Sequence, residues 1–442
     1  MDLDRRDFLL TIAGAAALRG VPAAADWRVG LASVDITPPP GLWMAGYAAR
    51  KEPSQGTAQA LHAKAIALED AAGHRAVIVT LDVLGLTSTV VDRIAAAVRR
   101  RHGLSREGLL LCSSHTHSGP VIDDQLAIAY DLTPAQWEDI RRSTRRIEEQ
   151  VVAIVGQALH RLKPVRLRSA QGTAGFAANR RVAFDPKGPA DHAVPVLSVE
   201  RSDGTLVGIV FGYACHNTTL PATFVRYHGD YAGVAQAELE RRHPGVTALY
   251  IAGCGADANP APRGTIELAE QHGRSLADSV ERALGEATEV RGSLRRGFST
   301  VTLAYAPALG ADEWQRRLED ENVFVRRHAK LMLEVIAREG HNRTAEEAPL
   351  HVVRIGTLAL VAISGEVVVD YALAVKRKYG EATWVAGCTD SVFGYLPSLR
   401  VLREGGYEGG EAMLYYGRPG PFADTVETSV MTGIDALMAA TG

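Results

Sequence analysis

The chain has 442 residues, with 48 basic and 51 acidic side chains and a hydrophobic share of 46%. That length holds two or three average domains or one large α/β unit, and the apolar share is enough for a proper core. A net charge of −3 gives no reason to expect a nucleic-acid partner, and the one short basic run, Arg99 to Arg101, ends a predicted helix, where it complements the helix dipole.

At the N-terminus, Arg5 and Arg6 precede an apolar run, Phe8 to Leu18, that is short for a bilayer span. Val21-Pro22-Ala23-Ala24-Ala25 then offers small residues suited to cleavage. The pattern resembles a twin-arginine export signal over residues 1–25; an ordinary N-terminal helix is the other reading. The mature protein is therefore expected in the periplasm or outside the cell. No later segment reaches the ~18–20 uninterrupted apolar residues of a membrane helix. Cys112, Cys215, Cys254 and Cys388 are widely spaced with no CxxC pair, so a zinc-finger site is not expected, and the sequence does not specify disulfide pairing.

From residue 26 to 442, apolar β-branched runs alternate with amphipathic stretches. This reads as α/β, one large unit with a mixed central β-sheet flanked by helices. In chain order, His74–Leu86 predicts a buried strand, and Ser88–His102 a helix with Val90, Val91, Ile94 and Val98 at helical spacing. Gly108–Ser113 predicts a short strand. Pro134–Leu162 predicts a long helix, with Thr133 as N-cap and Pro134 in the first turn. Strands are expected at Val196–Glu200 and Leu206–Ala214, a helix at Tyr231–Arg242, and a strand at Thr247–Ala252. Helices are expected at Glu267–Leu284 and Ala311–Glu339. Leu350–Ile355 and Leu358–Ile363 pair as a hairpin through Gly356. Gly365 and Glu366 begin a further helix, Val367–Lys378. The tail after Gly380 is rich in Gly, Tyr and Pro and closes with a helix near Thr425–Met438.

Polar motifs recur where these strands end. His115-Thr116-His117 follows Leu109–Cys112, Cys215-His216-Asn217 follows Val207–Tyr213, Gly253–Pro260 follows Leu249–Ala252, and Ser364-Gly365-Glu366 follows Leu358–Ile363. Open α/β sheets place their sites at strand ends, so four such loops suggest one convergent site. Zinc takes N, O or S ligands, and a catalytic zinc keeps one position for water. His115 and His117 point to one face if their segment is extended. Singly, the HxH pair reads equally as polar surface, His216 as a core histidine, and Glu366 as a helix-dipole partner; together they point to a metal. Arg180 and Arg181 form either a fork for a carbonyl or carboxylate or a surface turn. Gly253–Pro260 could form an anion-binding nest of backbone N–H groups, although it lacks the ending of a nucleotide P-loop. No GxSxG elbow occurs, which argues against an ordinary α/β-hydrolase esterase.

These residues bring a family into view. Val34-Asp35-Ile36-Thr37-Pro38-Pro39 with Gly41, Met44, Gly46 and Tyr47, then Ser114-His115-Thr116-His117-Ser118-Gly119-Pro120, His216-Asn217-Thr218, Ser364-Gly365-Glu366, Phe393-Gly394-Tyr395-Leu396-Pro397 and Gly406-Tyr407-Glu408 resemble the motifs of the neutral/alkaline non-lysosomal ceramidases. They run in family order from about residue 30 to residue 415. The resemblance implies one zinc held by His115, His216, Glu366 and Tyr395, with His117, Arg180, Arg181 and Tyr407 around a substrate amide. It implies hydrolysis of an N-acyl amide, ceramide being the type substrate, to a fatty acid and an amine. Zinc lowers the pKa of bound water to about 7; His117 or Asp257 would be the general base, and an arginine or tyrosine would stabilise the oxyanion.

Two departures bear on the substrate. Asn259 stands where the family has a serine, which favours a zinc–water route over a covalent one. The family's additional C-terminal β-sandwich is expected to be absent. The alternatives are a zinc hydrolase of the same fold acting on a non-lipid amide or ester, and a non-catalytic periplasmic binding protein. Peripheral contact with a membrane is compatible with apolar residues near the site, although no amphipathic anchor stands out.

Overall fold

The computed structural model describes residues 27–442, so the twin-arginine segment lies outside the described residues. Thirteen described strands form one mixed sheet. From one edge the order is Leu294–Ala304, Ala345–Ile355, Leu358–Ser364, Trp384–Thr389, Leu109–Ser113, Arg75–Leu81, His62–Asp70, Trp27–Asp35, Lys163–Thr173, Ala193–Glu200, Leu206–Tyr213 and Thr247–Ala252, with the short strand Thr288–Glu289 beside Lys163–Thr173. Most neighbours are antiparallel. Three pairs are parallel: Arg75–Leu81 with Leu109–Ser113, Leu206–Tyr213 with Thr247–Ala252, and Leu358–Ser364 with Trp384–Thr389. Each parallel pair is bridged by a helix, respectively Ser88–His102, Asp230–Arg242 and Val369–Tyr379, as a parallel crossover requires.

The near-continuous apolar strands are explained by burial on both faces. Along Arg75–Leu81, Ile78 points inward while Val77, Val79 and Leu81 point to a helix layer; along Thr247–Ala252, Leu249 and Ile251 point inward while Ala248 and Tyr250 face helices. The inward residues of nearly every strand join one cluster, with Trp384 and Leu110 among them. The sheet therefore folds back on itself, and Gly253 pairs with Ala386 across the fold. Ser88–His102 and Pro134–His160 cover one part of the outer face. Asp230–Arg242 and Ile266–Gly285 cover a second, and Val369–Tyr379 with Val426–Ala440 a third. Among the described residues no helix is long and apolar enough to cross a membrane.

Local signals account for several helix ends. Thr87 accepts from Val90 N and starts Ser88–His102, which Gly103 ends at φ +67°. Thr133 and Gln136 form a reciprocal capping box at Pro134. The hairpin at Gly356 forms as expected, with Ile355 opposite Leu358. Two expectations are corrected. The helix predicted over Ala311–Glu339 is two helices, Ala311–Arg317 and Val323–Glu339, because Asn322 caps the second by accepting from Phe324 N. Glu366 does not start a helix: Gly365 turns the chain at φ +85°, and Glu366–Val367 runs as a short strand parallel to Tyr395–Leu396. All four cysteines are buried and unpaired.

Candidate functional site

The three helix-bridged strand pairs direct their C-terminal ends to one place. Leu109–Ser113 leads into His115 and His117, Leu206–Tyr213 into His216, and Leu358–Ser364 into Glu366. Two small bridges lock these loops together. Thr116 pairs with Asn217, which sets the two histidine loops side by side, and Glu366 is the register partner of Tyr395. The Asn217 amide also donates to Ser114 O, across the same seam.

His115 adopts φ +63°, so the segment is not the extended strand that the HxH spacing suggested. The two rings converge all the same, because the left-handed residue turns the chain between them; their planes meet at 83°. His115 Nε2 lies 3.1 Å from Glu366 Oε2 and 3.3 Å from His117 Nε2. His216 Nε2 also lies 3.1 Å from Glu366 Oε2, and 3.2 Å from the Tyr395 hydroxyl. His115, His117 and His216 place nitrogen atoms within 4.8 Å of one another. His115, His216 and Glu366 are buried.

The backbone fixes the tautomers. His115 Nδ1 sits 2.7 Å from Leu84 O, His216 Nδ1 2.9 Å from Gly255 O, and His117 Nδ1 3.1 Å from Gly46 O. A carbonyl only accepts, so each Nδ1 carries the hydrogen and each Nε2 turns its lone pair to the centre. Three lone pairs and a carboxylate oxygen facing one another suit a cation. Within the cluster, the charges of Glu366 and His115 compensate one another. Burial opposes charge on His115, yet Cys388 and Glu366 hold its pKa well above the ordinary imidazole value. Burial likewise opposes charge on Glu366, and His115 beside it wins, holding the carboxyl well below its usual range. Burial, with His115 and His216 nearby, keeps His117 well below ordinary imidazole. Burial and Arg180 bring His216 down to about 4. This buried histidine cluster could hold a metal ion.

A cavity of about 240 Å³ opens over the cluster, with His117, Glu366 and Tyr395 in its lining and Leu84, Leu126, Ala129, Tyr47, Tyr407, Tyr415 and Tyr416 among the wall residues. Arg180 lies behind the wall, against Tyr395 and Tyr407. Its Nη2 donates to the Tyr395 hydroxyl at 2.9 Å, its Nε to Glu408 at 2.6 Å, and its Nη1 lies 3.4 Å from Asn259 Oδ1. Tyr407 stands edge-on to Tyr395 with ring centroids 5.3 Å apart. Arg181 turns away and ties Glu404 and Glu408 together at 2.9 and 2.7 Å.

Asp257 is placed differently from the rest. It is fully buried and absent from the cavity wall. One carboxylate oxygen accepts from Val369 N at 2.9 Å and the other from Asn179 Nδ2 at 3.1 Å, while its carbonyl accepts from Arg180 N at 2.7 Å. It positions the Asn179–Arg180 turn. The glycine-rich loop around it forms no anion nest, since the N–H groups of Gly255, Ala256 and Ala258 are spent on Gly253 O, Val367 O and Gly255 O. Asn259 uses its amide oxygen to accept from Thr218 at 3.1 Å.

Several groups have roles that the sequence did not assign them. Tyr416 donates to Glu366 Oε1, Tyr47 packs beside His117 with centroids 4.9 Å apart, and Glu408 anchors both arginines. The Gly-Tyr-Glu motif that ends in Glu408 was the available signal for that anchor; nothing local marks Tyr416.

The description "Neutral/alkaline non-lysosomal ceramidase, N-terminal" belongs to a family model that matches residues 27–260, more than half of the chain. A neutral ceramidase of Pseudomonas aeruginosa is 28% identical over 216 residues, covering 45% of this chain and 32% of that protein. Neutral ceramidase A of Dictyostelium discoideum is 24% identical over 263 residues, covering 54% and 36%. The matched stretches thus span about a third of each relative's length. The crystal structure of the Pseudomonas aeruginosa neutral ceramidase superposes with a TM-score of 0.74 at 20% identity, over 94% of this chain and 75% of that one, a likeness of fold. With the model match running through His115, His117 and His216, this chain belongs to the neutral/alkaline non-lysosomal ceramidase family.

Proposed function

We propose that the chain hydrolyses the N-acyl amide of a ceramide-type lipid, using one zinc ion held by His115, His216, Glu366 and Tyr395. The observation that carries this reading is the convergence of two Nε2 lone pairs and a carboxylate oxygen within 3.1 Å contacts at the floor of an aromatic-walled cavity. Two relatives named for acting on ceramide support the substrate class. Zinc in such a site supplies Lewis acidity and a nucleophilic water at neutral pH.

The chain's own residues supply the rest. Leu84 O and Gly255 O hold His115 and His216 in the ligating tautomer, and Tyr416 orients Glu366. His117 faces the cavity with its Nδ1–H held by Gly46 O. It is kept neutral by burial and by the other two histidines, so its Nε2 is free to take a proton and return it to the leaving amine. Arg180, fixed by Glu408 and Tyr395, presents positive charge where the carbonyl oxygen becomes negative. Asn259 offers no nucleophile. The apolar walls fit an acyl chain better than a polar substituent. The Arg5-Arg6 segment supports export, with a processed chain lacking residues 1–25 expected in the periplasmic fraction or the medium; an unprocessed cytoplasmic chain would count against it.

The deciding experiment follows fatty-acid release from ceramide by the purified chain, before and after chelation and with zinc restored. Release that stops on chelation and returns with zinc is the expected result. A folded, zinc-loaded chain that releases nothing would redirect the substrate to another amide or ester, and a folded chain that binds no metal would favour a binding role.

A further inference from the structure

Large apolar side chains are almost all covered. Among the described residues those left exposed are Val182, Phe184 and Tyr407, at 59%, 47% and 42% of full exposure. Tyr407 is remote from the other two in sequence, yet the three lie on adjoining turns. Arg181 lies over the Phe184 ring, 4.5 Å from its centroid. The same guanidinium binds Glu408, Glu404 and Gly405 O, and this fixes the Arg181–Phe184 turn against the Glu404–Glu408 turn. Gly406 packs so closely on Phe184 that a Cβ there would stand 3.0 Å from the ring. Tyr407, next in the chain, is part of the cavity wall. The exposed apolar residues therefore continue outward from the mouth of the cavity that holds His117 and Glu366.

Both signs of charge stand beside the mouth: Asp185 accepts from Lys187 N and Glu411 is exposed just beyond Tyr407, while three cations lack an ion-pair partner among the described residues. Lys187 is exposed on the same loop as Phe184. On the Tyr47 side, Arg263 is exposed and close enough to act on the Tyr47 phenol. Arg226 is exposed there too; it lies over the Phe224 ring, and Phe224 O accepts from Arg50 beside Tyr47. None of these three cations has a carboxylate partner among the described residues, in a chain whose net charge is −3.

We propose that this rim is the surface by which the chain docks on a phospholipid bilayer, with Val182 and Phe184 entering the interface and Lys187, Arg226 and Arg263 meeting lipid phosphates. The inference rests on the lipid-amide reading above. A ceramide-type substrate keeps its amide at the headgroup level and its chains in the hydrocarbon, so it must leave the bilayer to reach the cavity floor. An apolar rim touching the membrane gives it a path that does not cross water. Cations around apolar side chains are the usual composition of an interfacial contact. The Arg181 ion pairs beneath the turn keep the apolar side chains presented without a ligand. Two turns pinned together by Arg181 thus do the work of an amphipathic anchor helix.

The test uses the full chain and its double variant Val182→Ser with Phe184→Ser, neither residue being part of the site. Co-sedimentation with phosphatidylcholine vesicles doped with phosphatidylglycerol is measured first. Binding by the double variant is expected to be about tenfold weaker or more, from the loss of two interfacial apolar side chains. Hydrolysis of ceramide embedded in those vesicles should fall in parallel, while hydrolysis of a short-chain, water-soluble N-acyl analogue stays unchanged. Equal vesicle binding by the two proteins would overturn the proposal. So would a concentration-dependent dimer of the wild type that the variant loses, since the patch would then belong to a second copy. If the wild type hydrolyses neither substrate but the variant still loses vesicle binding, the docking surface stands and the amidase reading fails.

Discussion

Asp257 separates two roles that sequence alone left together, general base and positioning group, and Asp257→Asn distinguishes them. Burial raises its pKa from 3.8 to about 6, against the opposing hydrogen bond from Val369 N. The native state therefore holds this proton more tightly than the unfolded chain does. Its stabilising contribution is fully present below pH 3.8 and is lost as the pH rises through about 6, an amount of about 3 kcal/mol. Asparagine does not titrate, so the variant escapes that loss. It carries instead a cost of about 1–3 kcal/mol at every pH, because its amide N–H₂ must face the Asn179 amide or the Val369 N–H, both donors. The variant should be the weaker protein near pH 4 and should draw level near pH 7. Guanidinium unfolding of both proteins, stripped of metal, at the two pH values measures the gap. A gap that does not change with pH would refute the reasoning, since Asp257 would then be ionised in the core at no cost. Activity supplies the second arm. A positioning group replaced by its isostere should cost less than about tenfold, whereas loss of a general base costs about 10²–10⁴. A loss in that larger range with zinc retained would transfer the base from His117 to Asp257.

Four further outcomes are expected. His216→Ala and Glu366→Gln should each abolish stoichiometric zinc in elemental analysis, while His117→Ala keeps the metal and loses about 10²–10⁴ in kcat; zinc retained by His216→Ala would sink the ligand set. Tyr416→Phe removes the hydrogen bond to Glu366 and should weaken zinc about 10–100-fold in competition with a chelator, with the fold intact by circular dichroism. Asn259→Ser restores the serine of the family resemblance, and intact mass after mixing with substrate should show no acyl adduct; an adduct would revive a covalent route. Asp390→Asn strips a buried carboxylate from Arg106 at 2.8 Å and His351 at 2.7 Å and should destabilise by about 3–5 kcal/mol in denaturant unfolding. A cost below about 1 kcal/mol would show that neither partner needs the charge.

What the sequence made legible of the fold depends on how each strand is covered. Leu109–Ser113, Thr247–Ala252 and Leu358–Ser364 are apolar but for one terminal Ser or Thr each, because helices lie on one face and the folded-back sheet on the other, and a run with flanking turns is readable. His62–Asp70 is hidden by its alanines. Ala63, Ala65 and Ala67 leave room for Pro134–His160 to pack close, and alanine is a helix former, so composition masks the strand. Trp384–Thr389 occupies the middle of the sheet yet is six residues long, contains a glycine and lies in a glycine-rich tail. Its place is set by partners more than twenty residues away, Leu360 to Ser364 on one side and Cys112 on the other.

The candidate site was legible in its residue types and not in its geometry. His115, His117, His216 and Glu366 announce themselves as ligand-type residues at strand ends, and the three helix-bridged parallel pairs are what bring those ends together. The finer placement rests on backbone that carries no sequence signal of its own. Carbonyls of Leu84, Gly255 and Gly46 choose the tautomers, and any residue could supply a carbonyl there. His115 works from a left-handed backbone, which is uncommon outside glycine although histidine is among the residues enriched there. That conformation is held by His115 N to Val83 O, by the Thr116–Asn217 bridge and by the Asn217 amide on Ser114. Asn217 is therefore as necessary to the histidine geometry as the histidines are. Asparagine beside His216 reads in sequence as a neighbour of a ligand; in the structure it is the clasp between the two histidine loops.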